Sequence, residues 1–269
     1  MSILKVTSAV PSSIRFIQRG FTMKVSTLSL AVFAAFGLAV TAHAQVQSDI
    51  VGATTIVNVG ATAAGLPGIG HIGAYDGALI SFEQLQGFVD DISVGNPTNW
   101  KLTKITPAQT IPNPPGYGDI GYFDFIQVAN ESVYFGEWSK TGVSSDSTHT
   151  VYYAGEAGNV VNTLPTQTAT YTVVGINNGG ILNGSLTANF GGNNQLVGSF
   201  FNSDLTIDIA ATINTADASF SGGALANGIE GTFGTTKGHF FGNEATALAG
   251  ITEFASDRSL NTAFGGLKD

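Results

Sequence analysis

Three stretches in the second half of the chain alternate apolar and polar positions without a break. Residues 168–173 put Ala169, Tyr171 and Val173 on one side and three threonines on the other. Residues 185–190 do the same with Leu186, Ala188 and Phe190, and residues 204–209 with Leu205, Ile207 and Ile209. A period of two is that of a β-strand with one face buried and the other in water. Asn177-Asn178-Gly179-Gly180, Gly191-Gly192-Asn193-Asn194 and Ser221-Gly222-Gly223 supply residues that adopt the positive φ of tight hairpins. Short, regularly spaced strands broken by such turns suit an up-and-down barrel or a sandwich. The barrel is preferred, running from about residue 148 to the C-terminus.

The segment Gly238-His239-Phe240-Phe241-Gly242 predicts a short aromatic strand, followed by one helical turn over Glu244 to Leu248. The turn breaks at Gly250 and the chain resumes as Ile251-Thr252-Glu253-Phe254, which is the pattern of a hairpin closing a small barrel. The first half is less regular. Residues 49–59 alternate weakly and predict a strand, while residues 80–89 suit a strand or a short amphipathic turn. Residues 106–118 contain Pro107, Pro112, Pro114 and Pro115 and predict a loop, because proline lacks the donor a sheet ladder needs. Residues 122–128 and 132–138 predict an aromatic hairpin around Ala129-Asn130-Glu131. The expected fold is all-β: a loop-rich N-terminal subdomain over residues 45–145, then an eight-stranded antiparallel β-barrel over residues 146–269.

The first 44 residues read as targeting sequence. Met23-Lys24 precedes an uncharged apolar run from Leu28 to Val40, and Ala42-His43-Ala44 carries the small-residue pattern of a signal-peptide cleavage site before Gln45. Residues 1–22 read as an extended leader or a mis-assigned upstream start, the second being preferred. The apolar run falls short of the ~20 residues a membrane helix needs, and no later run approaches that length. The expectation is a secreted protein without membrane insertion. Removing residues 1–44 takes away Lys5, Arg15, Arg19 and Lys24 and no acid. The totals of 10 basic and 19 acidic residues become 6 and 19, a formal charge of −13. That argues against nucleic acid, whose binding rests on cations neutralising phosphates, and against anionic membranes. Self-repulsion favours a soluble monomer. Cysteine is absent, so the exported fold has no disulfides, no lipid-anchored cysteine and no thiol nucleophile.

Catalysis finds little support: there is no G-x-S-x-G elbow and no H-E-x-x-H helix, and Asp90-Asp91 is the one adjacent acid pair. A carboxylate-only glycosidase stays open as a rival. The rare histidines are more telling. With His43 in the leader, His71, His149 and His239 remain. An imidazole beside an apolar cavity is the commonest way to hold haem iron. His71 lies in Gly68-Ile69-Gly70-His71-Ile72-Gly73, where glycines would let the backbone approach a flat ligand, although a solvent-facing loop explains it as well. His149 precedes Val151-Tyr152-Tyr153-Ala154-Gly155, expected as the first barrel strand, and suits either a ligand or an ordinary edge residue. His239 alternates with Phe240, is expected to point outward from the barrel, and is assigned to structure.

The phrase G-x-F-F-G-x-x-A-x-x-x-A-G over residues 238–250 resembles the C-terminal barrel of the transferrin-binding-protein-B-like proteins, and within them the haemophilin-type haem carriers. Tyr134-Phe135-Gly136-Glu137-Trp138, residues 151–155 and Thr262-Ala263-Phe264-Gly265-Gly266 carry the same likeness. The resemblance implies a non-enzymatic hemophore that binds haem b non-covalently through one or two axial histidines, with His71 and His149 as the candidates and the N-terminal subdomain serving as the so-called handle. It places Ile69, Ile72, Tyr75, Phe82 and Phe88 around the macrocycle, with Lys101 and Lys104 as candidate propionate partners, although a solvated face explains the two lysines equally. The implied partners are an outer-membrane translocator of the surface-lipoprotein-assembly type and a TonB-dependent haem receptor. The rival from a different class is an adhesion or host-interaction barrel without cofactor.

Overall fold

The computed structural model describes residues 45–269 except 73–76, 90–91, 94–99, 108–119, 159 and 229. The expected leader, Tyr75 and residues 108–118 of the proline-rich loop lie outside the described residues. Ala42–Asp269 forms one compact unit. Its N-terminal part comprises β1 (Val46–Val51), β2 (Val57–Ala61), β3 (Pro67–His71), β4 (Ile80–Ser81), helix α1 (Phe82–Gln86), β5 (Ile92–Ser93), β6 (Lys101–Ile105), β7 (Tyr122–Gln127), β8 (Val133–Ser139) and β9 (Thr150–Glu156). Strands β2, β3 and β4 make a small sheet, and a larger one has the order β1-β9-β8-β7-β6-β5. The aromatic hairpin expected around residues 129–131 is β7–β8, turning at Ala129 with φ 46°.

Local chemistry explains two departures from the sequence pattern. The weak strand expected over residues 49–59 is split into β1 and β2 at Gly52, whose φ of 133° few other residues adopt and where a Cβ would strike the His149 carbonyl at 2.5 Å. Residues 82–86 are helical because Ser81 caps them: its hydroxyl accepts the Gln84 N–H at 3.2 Å, and the Gln84 side chain returns to the Ser81 backbone.

After helix α2 (Val160–Thr163) come β10 (Thr168–Asn177), β11 (Gly180–Asn189), β12 (Gln195–Phe201), β13 (Thr206–Asn214), β14 (Ser219–Ala226), β15 (Thr232–Phe241), β16 (Ala247–Glu253) and β17 (Thr262–Lys268). These eight strands close into an antiparallel barrel, with β17 pairing both β16 and β10. The fold is all-β with a closed eight-stranded barrel, as expected. The β10–β11 turn has positive φ at Asn178 and Gly179, the signature of a two-residue hairpin matched to strand twist.

Three local expectations are corrected. The strand after His149 is β9, which lies between β1 and β8 in the open sheet, so the barrel begins at Thr168. Both faces of β9 are buried, which suits a strand between two layers rather than a barrel wall facing water. Ser221-Gly222-Gly223 is no turn but the middle of β14, where a Cβ on Gly222 would meet the Ala210 carbonyl at 2.2 Å. The helical turn expected over residues 244–248 shrinks to a 3-10 turn, Asn243–Ala245, with positive φ at Glu244 and Ala245.

The core has three parts. Inside the barrel, Phe200, Phe220, Phe240 and Phe264 interleave with glycines. Gly238 and Gly250 face each other across β15–β16, and Phe220 and Phe264 fill the space a Cβ would take. Outward Phe241, Ala249, Ile251 and Ala263 meet Phe135, Val151 and Tyr153 on one face of the large sheet. The other face, through Phe125, Tyr134, Trp138 and Tyr152, covers Val57, Ile69 and Phe82 of the small-sheet layer. Side chains alternate along a strand, so this layering decides which polar residues can share a site.

Candidate functional site

Strand β3 ends at His71. Ile69, two residues before it, is buried against the large sheet, so His71 points into the same seam at its rim and is half-buried. Its imidazole stands edge-on to Trp138, with ring centroids 5.9 Å apart and planes at 68°. Trp138 is 1% exposed, and its indole N–H donates to the Ile120 carbonyl at 2.8 Å. Gly121, with φ 79°, makes this close approach possible, since a Cβ there would meet the indole nitrogen at 2.7 Å. Ile72, next to His71 in the chain, is 45% exposed, and Phe88, in the turn leaving α1, is 53% exposed. Large apolar side chains left in solvent near an imidazole suit a flat apolar ligand with a central metal.

His149 has a different setting. It is 1% exposed, and both ring nitrogens meet acceptors: Nε2 lies 2.9 Å from Glu137 Oε2, and Nδ1 lies 3.1 Å from the Arg258 carbonyl. Both ring nitrogens are thus engaged by groups of the protein itself. Glu137 also accepts the N–H groups of Asn178 and Gly179 from the β10–β11 turn. The pair therefore fastens the barrel to the large sheet, and His149, expected as an iron ligand, has both nitrogens engaged in this arrangement. Geometry also separates it from His71. Glu137 and Trp138 are neighbours on β8 and project to opposite faces, so His71 and His149 lie on opposite sides of the large sheet.

The remaining expected residues divide in the same way. Ile69 and Phe82 are buried in the seam, with the Phe82 ring stacked on Tyr134 at 4.9 Å and on Tyr152 at 6.0 Å. Expected against a macrocycle, both are buried beneath the rim that carries His71. The glycines before His71 serve the chain itself: a Cβ on Gly68 would meet the Ile80 carbonyl, and one on Gly70 the Ala78 carbonyl. Lys104 projects towards the barrel and pairs with Asp124 at 2.7 Å. Burial pushes the Asp124 carboxyl above its ordinary range, with Lys104 opposing. Lys104 is thus committed away from His71. Lys101 is exposed and shares the face of Thr103 and Ile105, the face that carries Trp138.

His239 points outward from the barrel, as expected, and packs on the large sheet, where its Nδ1 and the Tyr153 hydroxyl are hydrogen-bonded at 2.8 Å. Burial holds the Tyr153 phenol well above its usual range and the His239 imidazole below its own. Among the described residues no three His, Asp or Glu side chains cluster as metal ligands, and no helix is long and apolar enough to cross a membrane. Two contributors escaped the sequence pattern as site residues: Trp138 as the partner of His71, and Glu137 as the partner of His149. An aromatic run marks a core equally well, and nothing local announces contacts made across about 12 to more than 60 residues.

Two family models match the chain in order. Residues 32–150 match the HphA N-terminal heme-binding domain, and residues 162–268 match the HphA C-terminal domain. Among solved structures, the apo haemoglobin receptor HpuA from Kingella denitrificans superposes with a TM-score of 0.55 at 19% identity, covering 85% of this chain and 88% of that one. HpuA from the same organism in complex with human haemoglobin gives 0.53 at 18% identity, covering 84% and 88%. A double mutant of Transferrin Binding Protein B from Haemophilus parasuis Hp5 lies further off, at 0.48 and 13% identity, covering 83% and 45%. At such identities the solved structures speak for the fold.

Proposed function

We propose that this chain, haemophilin-like and matching the HphA haem-binding and C-terminal domains in sequence, is a secreted hemophore that binds haem b without covalent attachment. The observation that carries the reading is His71, an imidazole at the rim of the seam inside the segment matched to the haem-binding domain. Bound haem supplies an iron centre that accepts an imidazole nitrogen. In this reading His71 holds the iron, Ile72 and Phe88 cover apolar edges of the ligand, and Lys101 pairs with a propionate. Tyr75 is assigned to the same pocket from the sequence alone. With no cysteine in the chain, thioether attachment has no chemistry, which supports a non-covalent cofactor. No reaction is proposed.

Capture outside the cell, export through an outer-membrane translocator of the surface-lipoprotein-assembly type, and delivery to a TonB-dependent haem receptor complete the proposal. So do cleavage before Gln45, a monomeric state, and division of the mature chain into a ligand-binding part and a barrel. The acidic mature sequence supports a freely diffusing carrier.

Haemin titration of the mature protein tests the reading. Wild-type protein is expected to give a sharpened, shifted Soret band that His71→Ala abolishes or strongly weakens, and His149→Gln is expected to leave the band where it is. A free-haemin spectrum for the wild type would reject haem binding and leave the host-interaction reading in its place.

A further inference from the structure

We propose that Trp138 is a positioning residue for the His71 imidazole, fixing the direction in which the ring presents its ligating nitrogen. The inference rests on the haem reading and deepens it. The torsion that turns an imidazole about its stem is broad and soft, so neighbours decide where the ring points. One such neighbour is the indole, in an edge contact of the kind aromatic rings prefer.

Trp138 is itself immobilised on three sides. Its indole N–H is tied to the Ile120 carbonyl, its ring lies 6.1 Å from Phe123 at 49°, and it is buried on a central strand. The positive φ of Gly121 brings the backbone close enough for the Ile120 bond. Residues 120–121, β8 and His71 therefore form one continuous support. Outer groups that orient a ligating histidine typically change metal affinity by about 10- to 100-fold when removed. The tie to Ile120 and the ring contact are separable: Trp138→Phe keeps an aromatic edge but loses the N–H, whereas Trp138→Leu loses both.

The test measures haemin release to excess apomyoglobin and the low-temperature EPR spectrum of the ferric complex, for wild type, Trp138→Phe, Trp138→Leu and His71→Ala. Thermal melting of each haem-free protein is followed in parallel. Release is expected to quicken roughly tenfold in Trp138→Phe and nearer a hundredfold in Trp138→Leu, with broadened or shifted g-values showing a reoriented ring. A purely structural role would lower the melting temperature and leave release and g-values at wild-type values in Trp138→Phe, and that result overturns the proposal. If wild type and His71→Ala treat haemin alike, the haem reading falls first and takes this inference with it. If His71→Ala loses haemin while both Trp138 variants hold it as the wild type does, only this inference falls.

Discussion

His149 is buried with its two ring nitrogens against the Glu137 carboxylate and the Arg258 carbonyl. Removing one partner of such a pair strands the other charge, which is destabilising by about 3–5 kcal/mol. Glu137→Ala is expected to lose stability on that scale in urea unfolding, and more than a surface acid such as Asp204 would. His239 behaves in the opposite sense. Burial, its largest influence, keeps the ring neutral, while Asp217 and Asp49 pull the other way. As pH falls below about 6.5 the unfolded chain takes up the proton before the folded one. The contribution of His239 is therefore complete above pH 6.5 and declines on acidification. His239→Gln is expected to flatten the stability profile below that pH, measured by urea midpoints at stepped pH. At this scale the sequence separated the histidines only partly: alternation with Phe240 placed His239 outward, but nothing near His149 in the chain reveals the Arg258 carbonyl that occupies it.

Strands with one wet face were legible from alternation, whereas of the strands with two dry faces β8 was legible only from its aromatic run and β9 was misplaced. β10, β11 and β13 announce themselves because threonine and asparagine alternate with apolar residues. β8 and β9 are buried on both faces, so their alternation vanishes, and the sequence pattern assigned β9 to the wrong sheet. Ser221-Gly222-Gly223 misled for a related reason: glycine serves turns and close strand approach alike, and only the position of β13 tells them apart. Inside the barrel the same residue type makes room for rings. Gly238→Ala is expected to push a methyl group into Phe220 and the Ala249 carbonyl and to lower the melting temperature markedly. Phe240→Ala, which empties the contacts with Tyr171, Phe190 and Phe220, is expected to lose about 3–5 kcal/mol in denaturant unfolding.

For the whole molecule, the large sheet is the partition that matters. One face carries His71 and Trp138, and the other carries the Glu137–His149 fastening to the barrel. Changes at the fastening are expected to alter unfolding midpoints without moving a Soret maximum. Haemin is expected to raise the melting temperature of the wild type with the logarithm of its free concentration, and to do so hardly at all in His71→Ala. The sequence named His71 and His149 together because a linear string shows neither which face of a sheet a residue takes nor what lies behind it. The closing of the barrel by β17 has a consequence of its own. Residues 262–268 supply the seam for β10, made almost a hundred residues earlier, as well as for β16. Until that strand is in place the barrel has two raw ribbon edges, and any holdup there favours clumping over completion. Closure of this barrel therefore waits on residues 262–268, whatever order the other strands pair in.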